Sequence, residues 1–575
     1  MRRLLVMLAL AASGCGSFVD GPPTNRCTSD ADCTMASCNT DLGMCVSEAR
    51  RTVRIGLEVR PMTEPYGGSV QAIPFEPFEV AGPIERDLEL SPGVIVQGIV
   101  RASDGTPVST DLAFTRQSTI PGASATTITL PSSGANPPTL EAGRAAAFLT
   151  QILPGRHELS VTPTGDFSAL LPPMNLVYET PENGDGYLEI AYPPVCDDPT
   201  TDTECLAVFE GQVADPDGRG QAGVVVKLID RASGRTVSSR YVTATDPELD
   251  PGYFRLYLPV GLWHSTDAWF LRVSPAPHRV EEVGPSPTYT RSAEALSPGD
   301  DGLIRVLSPD VSELRIAYSG TVESPDGQPL ADASVRFTAT EVTDPVTNIT
   351  GSYTTTVRTD ETGRFSAELL GHPEAPASYE IVVTPSQSDT ELGILRDQRT
   401  LGSDSNGQLF TVPARSRFGG TVQTGAGLRM IDARVEARTQ GSDRDGTLEP
   451  VAFLARSSQT TTDPMGLFDL RLDVGLYDVV IEPPAGTNFP WRIERDVAIG
   501  GSMAPLSSVY ELDNPVPITG IATWSVDGTT QPVVEGEVRA YAVIEADDGS
   551  VRALLVGRAT TDARGAYTLL LPPSI

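Results

Sequence analysis

Tyr318-Ser319-Gly320-Thr321-Val322, then Ser324-Pro325-Asp326-Gly327-Gln328-Pro329-Leu330, then Ala333-Ser334-Val335-Arg336-Phe337, is the stretch whose reading decides the fold. It reads as a strand, a tight turn and a second strand. Asp-Gly suits the turn, because glycine tolerates a positive φ and aspartate can bond its own backbone. The second strand alternates apolar and polar residues, so one face is buried and the other wet. The unit then passes through Thr359-Asp360-Glu361-Thr362-Gly363-Arg364-Phe365 to a strand ending at Pro385.

Working outward, the same phrases return. Strand openings stand at Val96-Gln97-Gly98-Ile99-Val100, Phe209-Glu210-Gly211-Gln212-Val213, Phe418-Gly419-Gly420-Thr421-Val422 and Ile518-Thr519-Gly520-Ile521-Ala522. Their glycines, with Gly320, recur about every one hundred residues, the mark of a repeat architecture. Asp104-Gly105 and Asp217-Gly218 repeat the turn. Thr462-Asp463-Pro464-Met465-Gly466-Leu467-Phe468 and Thr561-Asp562-Ala563-Arg564-Gly565-Ala566-Tyr567 repeat the later phrase. The second unit carries a stretched form, Thr245-Asp246 with Gly252-Tyr253-Phe254, and the first lacks it. Terminal prolines recur at Pro163, Pro275 and Pro483.

These phrases predict an all-β chain, a tandem array of antiparallel β-sandwich modules of transthyretin-like or Ig-like type. A chain of 575 residues is too long for one core, and its 53 Gly and 49 Pro punctuate short apolar runs as turns. The expected modules are 51–165 (divergent), 205–290, 312–390, 410–490 and 515–575. Residues 51–89, with a strand at Val53–Val59, are expected as extra strands on the first module. The last copy stops at Leu570-Leu571-Pro572-Pro573-Ser574-Ile575, where its relatives continue into a further strand. Either a strand arrives from elsewhere or the gene product is truncated, and truncation is the expectation, since an unpaired edge would otherwise be exposed.

The repeated phrases resemble the carboxypeptidase regulatory-like domain, a transthyretin-like sandwich of about seven strands, over most of residues 90 to 575. The resemblance implies a carbohydrate-binding-like fold and an appendage rather than a catalytic domain.

The first fourteen residues read as a signal peptide: Arg2 and Arg3, then a short apolar run from Leu4 to Ala12. Ala12-Ser13-Gly14-Cys15 resembles a bacterial lipobox, with Ala12 where leucine is commonest. The resemblance implies cleavage before Cys15 and its lipidation, a palmitate-type anchor that holds the protein to a membrane. Gly16, in place of the Asp that retains lipoproteins in the inner membrane, implies the outer membrane, on its periplasmic face or at the cell surface. Removing Cys15 leaves six cysteines, an even number suited to an oxidising compartment: Cys27, Cys33, Cys38, Cys45, Cys196 and Cys205.

Residues 15–50 resemble the disulfide-rich, Dickkopf-like segment near the N-terminus of myxobacterial lipoproteins. Four cysteines allow three pairings, and Cys27–Cys38 with Cys33–Cys45 is the one favoured. The spacing C-x5-C-x4-C-x6-C lacks the short C-x2-C step of zinc knuckles. Cys196 and Cys205 are expected to close a short loop on the second module.

A net charge of −33 argues against nucleic acid, whose phosphates call for clustered cations. Of the four histidines, His278-Arg279-Val280-Glu281 satisfies the H-x-x-E of metallocarboxypeptidases, with His372 downstream, but no α/β segment surrounds it. No H-E-x-x-H, G-x-S-x-G or phosphate-cradling loop occurs. Lys227 is the only lysine, so at most one module could carry the Lys–Asn isopeptide bond that related pilin-type sandwiches form. Asp215-Pro216-Asp217-Gly218 and Asp300-Asp301-Gly302 read as turns rather than calcium loops. The expectation is therefore no enzyme, no cofactor and no metal. The leading reading is an envelope lipoprotein whose modules form a stalk or interaction scaffold. A receptor component for an envelope glycan or protein, with Trp263 and Trp269 as ligand platforms, is the rival, and a hydrolase accessory protein the most distant alternative.

Overall fold

The computed structural model describes residues 22–33, 36–61, 72–91, 93–134, 146–181, 186–243, 251–276, 285–298, 303–439, 455–500, 508–526, 529–545 and 549–574. Five sandwiches are built from them: the first, third and fourth set a three-stranded sheet on a four-stranded one, the second sets four strands on four, and the fifth has five in each sheet. The opening strands are Val94–Arg101, Leu206–Ala214, Arg315–Glu323, Ser416–Thr424 and Val516–Val526. In the first four modules each takes one antiparallel neighbour and, on its other side, one parallel neighbour that ends the module. Val516–Val526 pairs antiparallel with both Ala566–Leu571 and Thr529–Pro532. In the first four modules that parallel strand follows in sequence: Gly186–Ala191, Ile304–Leu307, Ser405–Thr411 and Ser508–Leu512.

The fifth module takes its parallel strand from the other end of the chain. Ile84–Glu85 and Leu88–Leu90 pair in parallel with Val516–Val526. Val53–Arg60 fills the remaining gap in the second sheet, antiparallel to Glu537–Glu545, with Phe78–Val80 outside it. Residues 51–89 therefore do not extend the first module, and the edge expected to stand open is paired. Burial explains the choice: Ile55, Leu57 and Val59 alternate inward at 0 % exposure and pack with Ile518, Val538 and Leu569 in the fifth core.

The modules also reach past the expected boundaries of 165, 290, 390 and 490. At least two strands follow each terminal proline, such as Leu395–Leu401 and Ser405–Thr411 in the third module. The first of these is an edge strand carrying Arg396, Asp397 and Arg399, so its sequence lacks the alternation that marks its neighbours.

The recurrent glycines are set by the parallel pairing. A Cβ at Gly211, Gly320 or Gly420 would stand 2.5–2.6 Å from the carbonyl oxygen of Ile304, Gln408 or Ser508 on the parallel strand. At Gly98 and Gly520 it would come closer still, to Leu188 and to Arg86. No side chain fits that approach. That Gly520 meets Arg86 puts residues 84–90 in the same structural place as the closing strands of the other modules.

The Thr-Asp-x-x-Gly phrase is a buried clasp. The Thr359, Thr462 and Thr561 hydroxyls each accept from one backbone N–H, at Ala333, Ala433 and Gly536. Each donates to one carbonyl, at Leu330, Met430 and Val533. The aspartates cap the turn that follows: Asp463 accepts from the N–H groups of Met465 and Leu467, both at 2.8 Å. In the second module Thr245-Asp246 lies outside the described residues, and Thr243 performs the clasp, between Val224 N–H and Gln221 O. Thr462→Val, close in volume, leaves two buried backbone groups unpaired and is expected to cost about 1–3 kcal/mol, read from urea unfolding.

Because both ends of the described chain build the fifth sandwich, the five modules form a closed circuit. Linkers of three residues, 91–93 and 513–515, join the fifth to the first and the fourth. Between the second and third modules, Thr288–Ser292 pairs with Thr350–Arg358 and fuses two sheets into one of eight strands. Ile120 of the first module is buried over Gly56 of the fifth. Between the third and fourth, Arg456 donates to Leu392 O at 2.6 Å and pairs with the buried Asp473. Between the fourth and fifth, Arg552 meets Asp478 at 2.6 Å and Arg558 meets Glu482 at 2.7 Å. The cysteine-rich segment sits at this last junction, through Asn25 N–H to Thr487 O and Ser47 N–H to Pro515 O.

Candidate functional site

The disulfides are Cys27–Cys38, Cys33–Cys45 and Cys196–Cys205. The last closes a loop where the first module hands over to the second, at the parallel bridge between Val195 and Leu206. Cys15 lies outside the described residues, as do His278, Glu281 and Asp300 to Gly302.

The structure packs Trp269 inside the second module and leaves Trp263 half-buried beside it. Trp269 is 2 % exposed, its indole N–H donates to Leu262 O, and its ring stands edge-on to Phe209 at 5.8 Å. Trp263 meets the same phenyl ring from another side at 6.1 Å. Both rings therefore pack in the second module, where burial of aromatic area outweighs display. Trp491 is 8 % exposed, with the Arg438 and Arg558 guanidiniums each 5.8 Å from its ring. Two of the described histidines bond the backbone. His157 is buried and its Nε2 bonds Leu153 O; desolvation holds its pKa below the ordinary value. His372 Nδ1 accepts from Glu374 N–H within a turn. Asp215 accepts from Arg219 N–H at 2.7 Å, a turn bond rather than an ion site.

A different place draws functional groups together. Between the first and second sandwiches lies a cleft of about 760 Å³. One wall is the pair of strands Arg156–Pro163 and Met174–Glu179, whose register sets Glu158 opposite Val177 and Ser160 opposite Asn175. The other wall is Val224–Asp230 with the turn after it, ending at Arg240. Alternation along Val224–Asp230 turns Val226 and Leu228 into the core and leaves Lys227 on the outer face. A backbone bond from Arg240 N–H to Ser168 O at 2.8 Å ties the walls together.

The cleft is cationic in a strongly acidic chain. Arg156, Lys227, Arg235 and Arg240 line it, against one acid, Glu158. Arg235 pairs with Glu158 at 3.4 Å. Among the described residues, the side chains of Arg156, Lys227 and Arg240 have no ion-pair or hydrogen-bond partner. Lys227 stands directly across the ladder from Arg272. Partial burial, and then the charges of Arg272 and Arg240, push its ammonium pKa down. Ser160, Thr162, Asn175 and Thr236 add polar side chains with no hydrogen-bond partner among the described residues, and Leu176 and Val177 an exposed apolar strip. Arg156 and Lys227 stand 71 residues apart, so local patterning does not join them.

No family model matches the chain, and no curated protein does. Among solved structures, the Bacillus anthracis TIE protein is similar over 81 % of this chain and 70 % of its own, at 10 % identity and a TM-score of 0.16. A streptococcal ancillary pilin matches over 53 % of this chain and 99 % of its own, at 12 % identity and a TM-score of 0.22. The shaft pilin SpaA from Lactobacillus rhamnosus GG matches over 36 % and 98 %, at 10 % identity and a TM-score of 0.17.

Proposed function

We propose that this protein is a non-enzymatic scaffold of the bacterial cell envelope, held to the outer membrane by lipid on Cys15. The observation that carries the scaffold reading is the closed circuit, in which the fifth sandwich is completed by residues 53–90 and every junction is tied. Such a circuit fixes the directions in which five modules face, which a string with free ends does not. It also favours a compact platform over the extended stalk that a linear array would make. Three disulfides support an oxidising compartment, where such bonds persist. No described helix is long and apolar enough to cross a membrane.

Labelling growing cells with radioactive palmitate tests the anchor. Wild type should incorporate label and sediment with outer membrane, while Cys15→Ala should incorporate none and appear in the soluble fraction with an unchanged melting temperature. Equal incorporation by the two would reject the anchor.

A further inference from the structure

We propose that the cleft between the first and second sandwiches binds an acidic oligosaccharide. Its carboxylates would be held by Arg156, Lys227 and Arg240, and its hydroxyls by Ser160, Thr162, Asn175 and Thr236. This goes beyond the scaffold reading and does not depend on the lipid anchor.

Charge distribution points to an anion. Acids outnumber bases by 33 in this chain, and many arginines elsewhere are paired with a carboxylate, as Arg417 is with Asp469 and Arg492 with Glu494. Like charges opposed across a ladder destabilise a sheet, so Lys227 opposite Arg272, neither with an ion-pair partner among the described residues, calls for a counter-charge from outside. Because partial burial and its cationic neighbours depress the Lys227 pKa, an anion entering the cleft would relieve part of that cost. The cations stand on both walls, Arg156 on one sandwich and Lys227 with Arg240 on the other, so the occupant lies between the modules.

The neutral groups point to a sugar. Two hydroxyls and an amide stand uncommitted on the wall of the first module, and Thr236 faces them from the second. Each can both donate and accept, which matches a chain carrying hydroxyls beside its carboxylates. A run of Asp or Glu side chains would satisfy the cations and leave these groups idle. Leu176 and Val177, 37 % and 60 % exposed, offer apolar surface for the C–H face of a ring. The volume falls in the range of small-molecule sites.

Titration calorimetry on the full-length protein in detergent tests this, with hexagalacturonate, maltohexaose and hexaglutamate as probes. Hexagalacturonate should bind saturably at low salt and weaken as salt rises, while maltohexaose should not bind. Lys227→Met and Arg240→Gln should each weaken binding roughly tenfold, and Asn175→Leu severalfold. Arg240 and Asn175 are exposed, so their variants should melt with wild type, which separates lost binding from lost fold. The control Arg417→Gln, far from the cleft, should bind normally. Absence of hexagalacturonate binding, full affinity in Arg240→Gln, or equal affinity for hexaglutamate would each overturn the proposal.

Discussion

Deleting residues 53–90 should leave the fifth sandwich unfolded while the second and third keep their native transition. The deletion removes Ile55, Leu57, Val59, Val80, Leu88 and Leu90, none more than 2 % exposed, from one core. At about 1.5–3 kcal/mol for each buried side chain, the loss is roughly 10 kcal/mol or more, comparable with the whole stability of a domain. It also strips the partner strands from Val516–Val526 and Glu537–Glu545, leaving two open edges. Hydrogen exchange should show protection lost across 516–571, with a tendency to associate through those edges. A synthetic peptide covering 51–93 should restore the protection. Gly520→Val is the milder form of the same test, since its side chain would collide with the Arg86 carbonyl and displace only the parallel strand. Full protection of 516–526 in the deletion would show that the fifth module does not need the N-terminal segment.

Replacing Asp473 by Asn should destabilise the junction of the third and fourth modules by about 3–5 kcal/mol, because it leaves the buried Arg415 guanidinium without its counter-charge. Asp473 is 4 % exposed and Arg415, beside it at 3.2 Å, is 7 % exposed. Arg456 reaches the same carboxylate with its backbone N–H and both ends of its guanidinium. Burial by itself would raise the pKa of Asp473, but the hydrogen bonds of Arg456 and the charges of Arg415 and Arg456 hold it below the ordinary value. A folded pKa below the unfolded one means stability that is present at neutral pH and lost as pH falls through the folded value, below about pH 4. Wild type should therefore lose stability there, and Asp473→Asn, already lacking the charge, should show a flatter profile in that window. Urea midpoints measured from pH 7 to pH 3 give both readings; a wild-type curve parallel to that of the variant would remove the ion pair from the account.

Much of this molecule was legible in its local patterning. The Thr-Asp-x-x-Gly phrase and the recurrent glycines each perform one job that only those residue types perform. A hydroxyl bridges two buried backbone groups, and a missing Cβ admits a parallel strand. Strands such as Val53–Arg60 were legible for the same reason, since alternation records a buried face. What alternation does not record is whose core that face joins. Polar edge strands such as Leu395–Leu401 were missed because solvent on two sides removes the pattern. Trp269 was misread as an exposed ring because a tryptophan in sequence looks the same whether its ring meets solvent or Phe209.

The sequence by itself determined the module type, the fivefold repeat and the turn chemistry, because these rest on contacts between residues a few tens of positions apart. Only the tertiary structure decided that residues 53–90 complete a module more than 400 residues away, and that Arg156, Lys227 and Arg240 face one another across a cleft. Both depend on the burial and charge left over once each module has folded, and that remainder exists only when the modules are set side by side.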